Sequence, residues 1–116
     1  MSSDILIIGG GVIGLSIARE LHKRGAGKIA VIDKGRVASE ASWAAAGMLA
    51  PNAECDAEDE FFGLCTASNQ MYPAFAAELL DETGVDVELD RTGTLSLAFA
   101  EEEASELEAK YGWQRT

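Results

Sequence analysis

At 116 residues the chain has the length of one ordinary domain, enough to bury roughly two-thirds of the surface its unfolded form exposes. Its 47% hydrophobic and 25% charged residues, with 12 glycines and only 2 prolines, exclude a disordered or fibrous class. A formal net charge of -11 with few, scattered basic residues argues against nucleic acid and against anionic membrane surfaces as partners.

In chain order, Ile5-Leu6-Ile7-Ile8 is a short apolar run ending at three glycines, as expected of a strand buried on both faces of a parallel sheet. From Val12 the period becomes helical: Ile13, Ile17 and Leu21 share a stripe, while Arg19, Glu20, Lys23 and Arg24 face away. His22, Lys23 and Arg24 fall in the last turn, where cations suit the negative helix end, and Gly25 can supply the left-handed residue that stops it. Ile29-Ala30-Val31-Ile32 is a second buried run, terminating at Asp33. Strand, glycine turn, helix and strand in this order predict a right-handed βαβ unit.

The uncharged stretch 5–18 has the length of a signal-peptide core, but Asp4 precedes it, no basic segment leads into it and glycines interrupt it. It is also too short to span a bilayer. The expectation is a cytoplasmic protein without membrane insertion. Cys55 and Cys65 form no CxxC pair, and His22 has no second histidine to complete a metal set, so no metal site is expected. The two cysteines read as free structural thiols, with the acids Glu54, Asp56 and Glu58 around Cys55 raising rather than lowering its thiol pKa.

After Gly35 the pattern leaves a plain doubly wound fold. A small-residue segment, 38–47, leads to Pro51, and reads as a packed loop or short helix. Phe61, Cys65, Ser68, Tyr72, Phe75 and Leu79 then make a helical stripe, expected to be kinked or divided near Pro73 and ended by Gly84. Val85, Val87 and Leu89, and then Leu95, Leu97 and Phe99, alternate with polar or small residues like half-buried strands. A last helix follows Ala100, with three glutamates in its first turn. These later runs are too few to cover both faces and edges of the first two strands, so the reading is an incomplete fold. Residues 1–51 are expected to be the N-terminal part of a cofactor-binding domain. Residues 52–116 are expected to be a helical segment and first strands leading into an α+β substrate domain.

Gly9-Gly10-Gly11-Val12-Ile13-Gly14 contains GxGxxG, and each glycine has a mechanical task. Gly9 permits the tight turn, Gly11 lets a pyrophosphate approach the backbone, and Gly14 lets helix and strand pack closely. A pyrophosphate would sit on the unpaired N–H groups and positive dipole end of the helix. Asp33, closing the second strand, can accept hydrogen bonds from ribose hydroxyls and selects against a 2′-phosphate. NAD and FAD share this fingerprint; Ser39 through Met48, with hydroxyls on very small residues, suits close passage along a large planar cofactor.

The runs 7–14, Val31-Ile32-Asp33-Lys34, and 41–51 together resemble the D-amino acid oxidase superfamily, and within it the bacterial glycine oxidase branch linked to thiamine thiazole synthesis. The likeness continues through Asn52-Ala53-Glu54-Cys55, Phe61-Phe62 and the run 94–99, covering nearly the whole chain. It implies a Rossmann-like FAD-binding unit, with Val12 and Ile13 near the pyrophosphate and Asp33 and Lys34 at the adenosine ribose. It further implies Ala41 and Ser42, then Ala46, Gly47 and Met48, along the path from pyrophosphate to flavin. Some related amine dehydrogenases attach flavin through a His directly after the Trp of this loop; Ala44 stands there, so FAD is expected to be non-covalent.

In that family the flavin accepts hydride from the substrate α-carbon and oxygen reoxidises it, giving imine and hydrogen peroxide; the cofactor carries the difficult chemistry. The arginine that pairs with the substrate carboxylate lies in the family's C-terminal portion, so no catalytic residue is assigned in this chain. The implied partners are a small amino acid and oxygen, with homo-oligomer formation open. The implied activity is oxidation of glycine, sarcosine or D-amino acids. The alternatives are a D-amino acid dehydrogenase passing electrons to a quinone, and an inactive FAD-binding fragment. Arg36 and Arg91 read as solvated arginines, His22 has no catalytic role, and Trp43 is equally a cofactor neighbour or a buried loop anchor.

Overall fold

The computed structural model describes residues 2–115, which form two compact units divided after Met48. The first holds strand β1 (Ile5–Ile8), helix α1 (Val12–Lys23), strand β2 (Ile29–Ile32) and the short helix α2 (Ala41–Ala44). The second holds α3 (Pro51–Glu54), α4 (Glu60–Thr83) and α5 (Glu101–Gln114).

In the first unit β1 and β2 pair in parallel, with Ile5 opposite Ile29 and Ile8 opposite Ile32, as a helical crossover requires. Asp4 locks the entrance to both strands: its amide donates to the Lys28 carbonyl at 2.8 Å and its carboxylate accepts the Lys28 amide at 2.8 Å. Helix α1 ends in a Schellman arrangement, in which Gly25 (φ +66°) donates to His22 and Ala26 donates back to Leu21, both at 3.0 Å. Alternate residues of β1 differ in burial. Ile5 and Ile7 are half-buried, while Leu6 and Ile8 are exposed, Ile8 at 82%. The expectation of strands buried on both faces is therefore corrected: α1 packs on the sheet, and on the face away from it Leu6, Ile8 and Ile32 are exposed.

In the second unit α4 is one unbroken helix, and the expected division near Pro73 does not occur. A proline within a helix removes one N–H bond and crowds the carbonyl four residues back, a local cost that the many turns on either side outweigh. Asp59 caps its start by accepting the Phe62 amide at 2.9 Å, and Gly84 (φ +71°) ends it by donating to the Leu80 carbonyl. The buried stripe is also shifted from the expected one. Phe61 and Ser68 point to solvent, and Phe62, Thr66 and Asn69 join Cys65, Tyr72, Phe75 and Leu79 on the half-buried side.

Helix α5 packs its Trp113 edge-on against Phe62, with ring centroids 5.0 Å apart. It also reaches α3 through polar ends: Lys110 Nζ donates to the Ala53 carbonyl at 2.9 Å and Gln114 Nε2 to the Asn52 carbonyl at 2.8 Å.

The two alternating runs expected as strands are not strands. A strand is defined by a hydrogen-bonded neighbour, and among the described residues neither run has one. Local side chains take the backbone instead: Asp86 accepts the Glu88 amide and Asp90 the Thr92 amide, each at 2.8 Å, and Glu88 adopts φ +53° in mid-run. Apart from the half-buried Leu89, their large apolar residues stay exposed, Leu95 at 89% and Phe99 at 87%.

Candidate cofactor site

The site grows from the bend between β1 and α1. Gly9 adopts φ +107°, in the region that favours glycine, and its amide donates to the Ile32 carbonyl at 2.8 Å, tying the bend to the end of β2. A Cβ on Gly14 would run into the Gly9 carbonyl oxygen, a backbone atom that cannot move aside, so the helix can approach the bend this closely only without a side chain there. A Cβ on Gly11 would come within 3.1 Å of Ser42 Oγ. The bend thus presents bare main chain at the N-terminus of α1, and no acidic side chain occupies the first turn.

Asp33 lies on the same bend. Its Oδ2 accepts the Gly10 amide at 2.8 Å and its Oδ1 the Gly35 amide at 2.9 Å. These two amides, Gly10 first, hold the carboxyl below its ordinary pKa, so it is an anion throughout the neutral range. Each carboxylate oxygen can accept more than one hydrogen bond, so both keep capacity for further hydroxyl donors.

Ser42, in α2, supplies the cap that Gly11 cannot: its Oγ accepts the Val12 amide at 2.9 Å. The next two amides, Ile13 and Gly14, lie in the first turn, where no intrahelical acceptor exists. An anion arriving here meets oriented N–H donors, the positive end of α1 and a hydroxyl. The residues fit a diphosphate with a sugar diol beside it.

Gly9, Gly11, Val12, Gly14, Asp33 and Ser42 are therefore brought together, with Ile13 in the same first turn and Ala41 opening α2 beside Ser42. Lys34 points elsewhere, its ammonium paired with Glu40 at 2.9 Å on the surface, and that carboxylate raises its pKa. Ala46, Gly47 and Met48 follow α2 without regular structure; Gly47 has φ +76°, Met48 is exposed, and among the described residues no hydrogen bond links the three to the glycine bend.

Two participants escaped the sequence reading. Gly10, the variable position of the motif, carries the amide that anchors Asp33, and a Cβ there would press on Val37 at 3.2 Å. Ala38 donates to the Gly10 carbonyl at 2.9 Å from a φ of +58°. The glycine between Gly9 and Gly11 was a signal for the first; nothing in the residue type of Ala38 signalled the second.

The second unit holds a separate cleft of about 590 Å³, lined by Asn52, Thr66, Asn69, Gln70, Lys110 and Gln114 among others, which shares no residue with the glycine bend. Its one cation, Lys110, is already engaged by the Ala53 carbonyl and Asp56. Among its lining residues no acid-base pair is assembled.

A parallel βαβ crossover with a bare-backbone bend and a carboxylate closing the second strand defines a dinucleotide-binding unit. The profile of the family described as DAO, FAD dependent oxidoreductase, matches residues 4–116. The chain belongs to that family, whose cofactor is FAD. It is 44% identical over 104 residues to a glycine oxidase of Bacillus licheniformis, covering 90% of this chain and 28% of that protein. It is 42% identical over 104 residues to the bifunctional protein ThiO/ThiG of Trichormus variabilis, covering 90% of this chain and 16% of that protein. The crystal structure of glycine oxidase from Geobacillus kaustophilus superimposes with a TM-score of 0.93 at 42% identity, over 97% of this chain and 30% of that one. The chain thus spans less than a third of the length of these relatives. No helix among the described residues is long and apolar enough to cross a membrane.

Proposed function

We propose that this chain is the N-terminal part of a cytoplasmic amino-acid oxidase that uses non-covalent FAD to convert glycine, sarcosine or D-amino acids to imines, with oxygen reduced to hydrogen peroxide. The observation that carries the reading is the Asp33 carboxylate fixed on the Gly10 amide, beside the open amides of α1. The relatives named as glycine oxidases support the substrate class.

The roles of this chain's residues follow from their chemistry. Gly9, Gly11 and Gly14 shape the bend; Ile13 and Gly14 offer open amides to the diphosphate, with Val12 beside them through an amide shared with the Ser42 hydroxyl; Asp33 accepts from the adenosine ribose. Lys34 contributes through its backbone, because its side chain is engaged with Glu40. Ala41, Ala46, Gly47 and Met48 lie along the way to the flavin, where small side chains let a flat ring pass. Residues 1–51 thus serve the cofactor, and 52–116 lead toward the substrate domain. The bound flavin supplies the two-electron oxidation of the amine; these residues hold and orient it.

The test is made on the full-length protein. It is expected to purify with a flavin spectrum, to release its flavin on acid precipitation, and to form peroxide from glycine or sarcosine. Flavin that stays with the precipitate would overturn the non-covalent assignment. Substrate oxidation that proceeds with a quinone but yields no peroxide would replace the oxidase by a dehydrogenase.

A further inference from the structure

The one buried hydrophobic side chain among the described residues is a thiol. Cys55 is 5% exposed and caps the end of α3, its amide donating to the Pro51 carbonyl at 3.0 Å. Cys65 stands in the second turn of α4, which packs against α3. Cys65 is among the groups that raise the Cys55 thiol, which sets the two side chains side by side between the helices, and both are free thiols. The fold has therefore carried two cysteines ten residues apart onto two packed helices. They belong to no metal set, since no group of three or more His, Cys, Asp or Glu among the described residues could hold an ion. The cofactor site does not use them.

We propose that Cys55 and Cys65 form a reversible dithiol–disulfide pair, closed by a peroxide, that ties the end of α3 to α4. The chemistry balances in two steps. The Cys65 sulfur, as thiolate, attacks one peroxide oxygen; an S–O bond forms, the O–O bond breaks, and hydroxide leaves to take up the thiol's proton as water. The Cys55 sulfur then attacks the Cys65 sulfenic acid; an S–S bond forms, the S–O bond breaks, and the departing hydroxyl leaves with the Cys55 proton as a second water. Two thiols lose two electrons, and one hydrogen peroxide becomes two waters.

The order of attack follows from exposure. Cys65 is half-buried and can meet the oxidant, whereas Cys55 is enclosed. Burial first, then Cys65 itself and the charge of Asp59, push the Cys55 thiol up, which suits a group that waits as a thiol and resolves the oxidised partner. Glu54, Asp56 and Glu58 were expected to raise it; the direction holds, but the causes are enclosure, Cys65 and Asp59, and none of those three acids is among them. The pair responds to added peroxide whatever its source, so it stands apart from the oxidase reading.

The test treats the full-length protein with hydrogen peroxide alone, without amino-acid substrate, then alkylates free thiols and maps the unreduced peptides by mass. The expected product joins the Cys55 and Cys65 peptides, is lighter by two hydrogens, and is restored to two alkylatable thiols by dithiothreitol. Cys55→Ser should accumulate a sulfenic acid at Cys65 that dimedone traps. Should that variant fail to fold, the wild-type map decides alone. Two thiols that stay alkylatable, or oxidation of each cysteine without a link between them, would overturn the proposal.

Discussion

Both units carry short apolar runs bounded by turn residues, yet only in the first do such runs become a sheet. Ile5–Ile8 and Ile29–Ile32 find each other because the helix between them is long enough for a parallel crossover and ends in a glycine stop. The runs 85–89 and 95–99 have the same alternation but no ladder partner among the described residues, and Asp86 and Asp90 draw the backbone into local turns. Alternation states which face could be buried; a neighbour decides whether a strand exists.

The comparison can be broken most sharply at Gly14. Placing a methyl against the Gly9 carbonyl should destabilise the first unit by about 3 kcal/mol, the upper end for overpacking, and Gly14→Ala should purify without flavin. Denaturant unfolding and the absorbance spectrum check this together, and a flavin-loaded, fully stable variant would remove the close-approach argument.

Asp33→Asn comes next. It keeps the shape but puts an amide N–H where one carboxylate oxygen accepted a backbone donor, so FAD affinity measured by titration should fall roughly tenfold, as for a lost charged hydrogen bond. The same residue sets a pH response. Because its folded pKa is depressed, its contribution is fully present above the ordinary carboxylate value of about 4 and is lost as pH falls through the lower folded value. The loss of stability on acidification, followed as the unfolding midpoint against pH, should therefore be shallower in the variant.

In the second unit the effects are smaller and local. Asp59→Ala should destabilise by about 1 kcal/mol, the worth of a helix N-cap, read as a lower unfolding midpoint. Leu97→Ser should change the stability of the 116-residue chain by no more than about 0.5 kcal/mol, since that side chain is exposed. A large loss there would mean that the run is packed as a strand after all.

The sequence made the first unit legible because its signals are local. Apolar runs, helical period, Gly25 and the spacing to Asp33 each act within a few residues or one crossover, and the bounds of both strands followed from them. The contact of Asp33 with Gly10, the capping of Val12 by Ser42 and the meeting of Cys55 with Cys65 were not legible, because each depends on how distant turns come to rest. Of the two outcomes expected at Pro73, a kink or a division, the division is absent for the opposite reason: a strong local rule was outweighed by the length of the helix around it.

FAD and FMN share the flavin, but only FAD carries the adenosine diphosphate half that the glycine bend and Asp33 are argued to hold. Titrating the apo form of the full-length protein with each, followed by flavin fluorescence, puts that claim to the most direct trial. Saturable binding of FAD with little or none of FMN is the predicted result; equal binding of the two would contradict it.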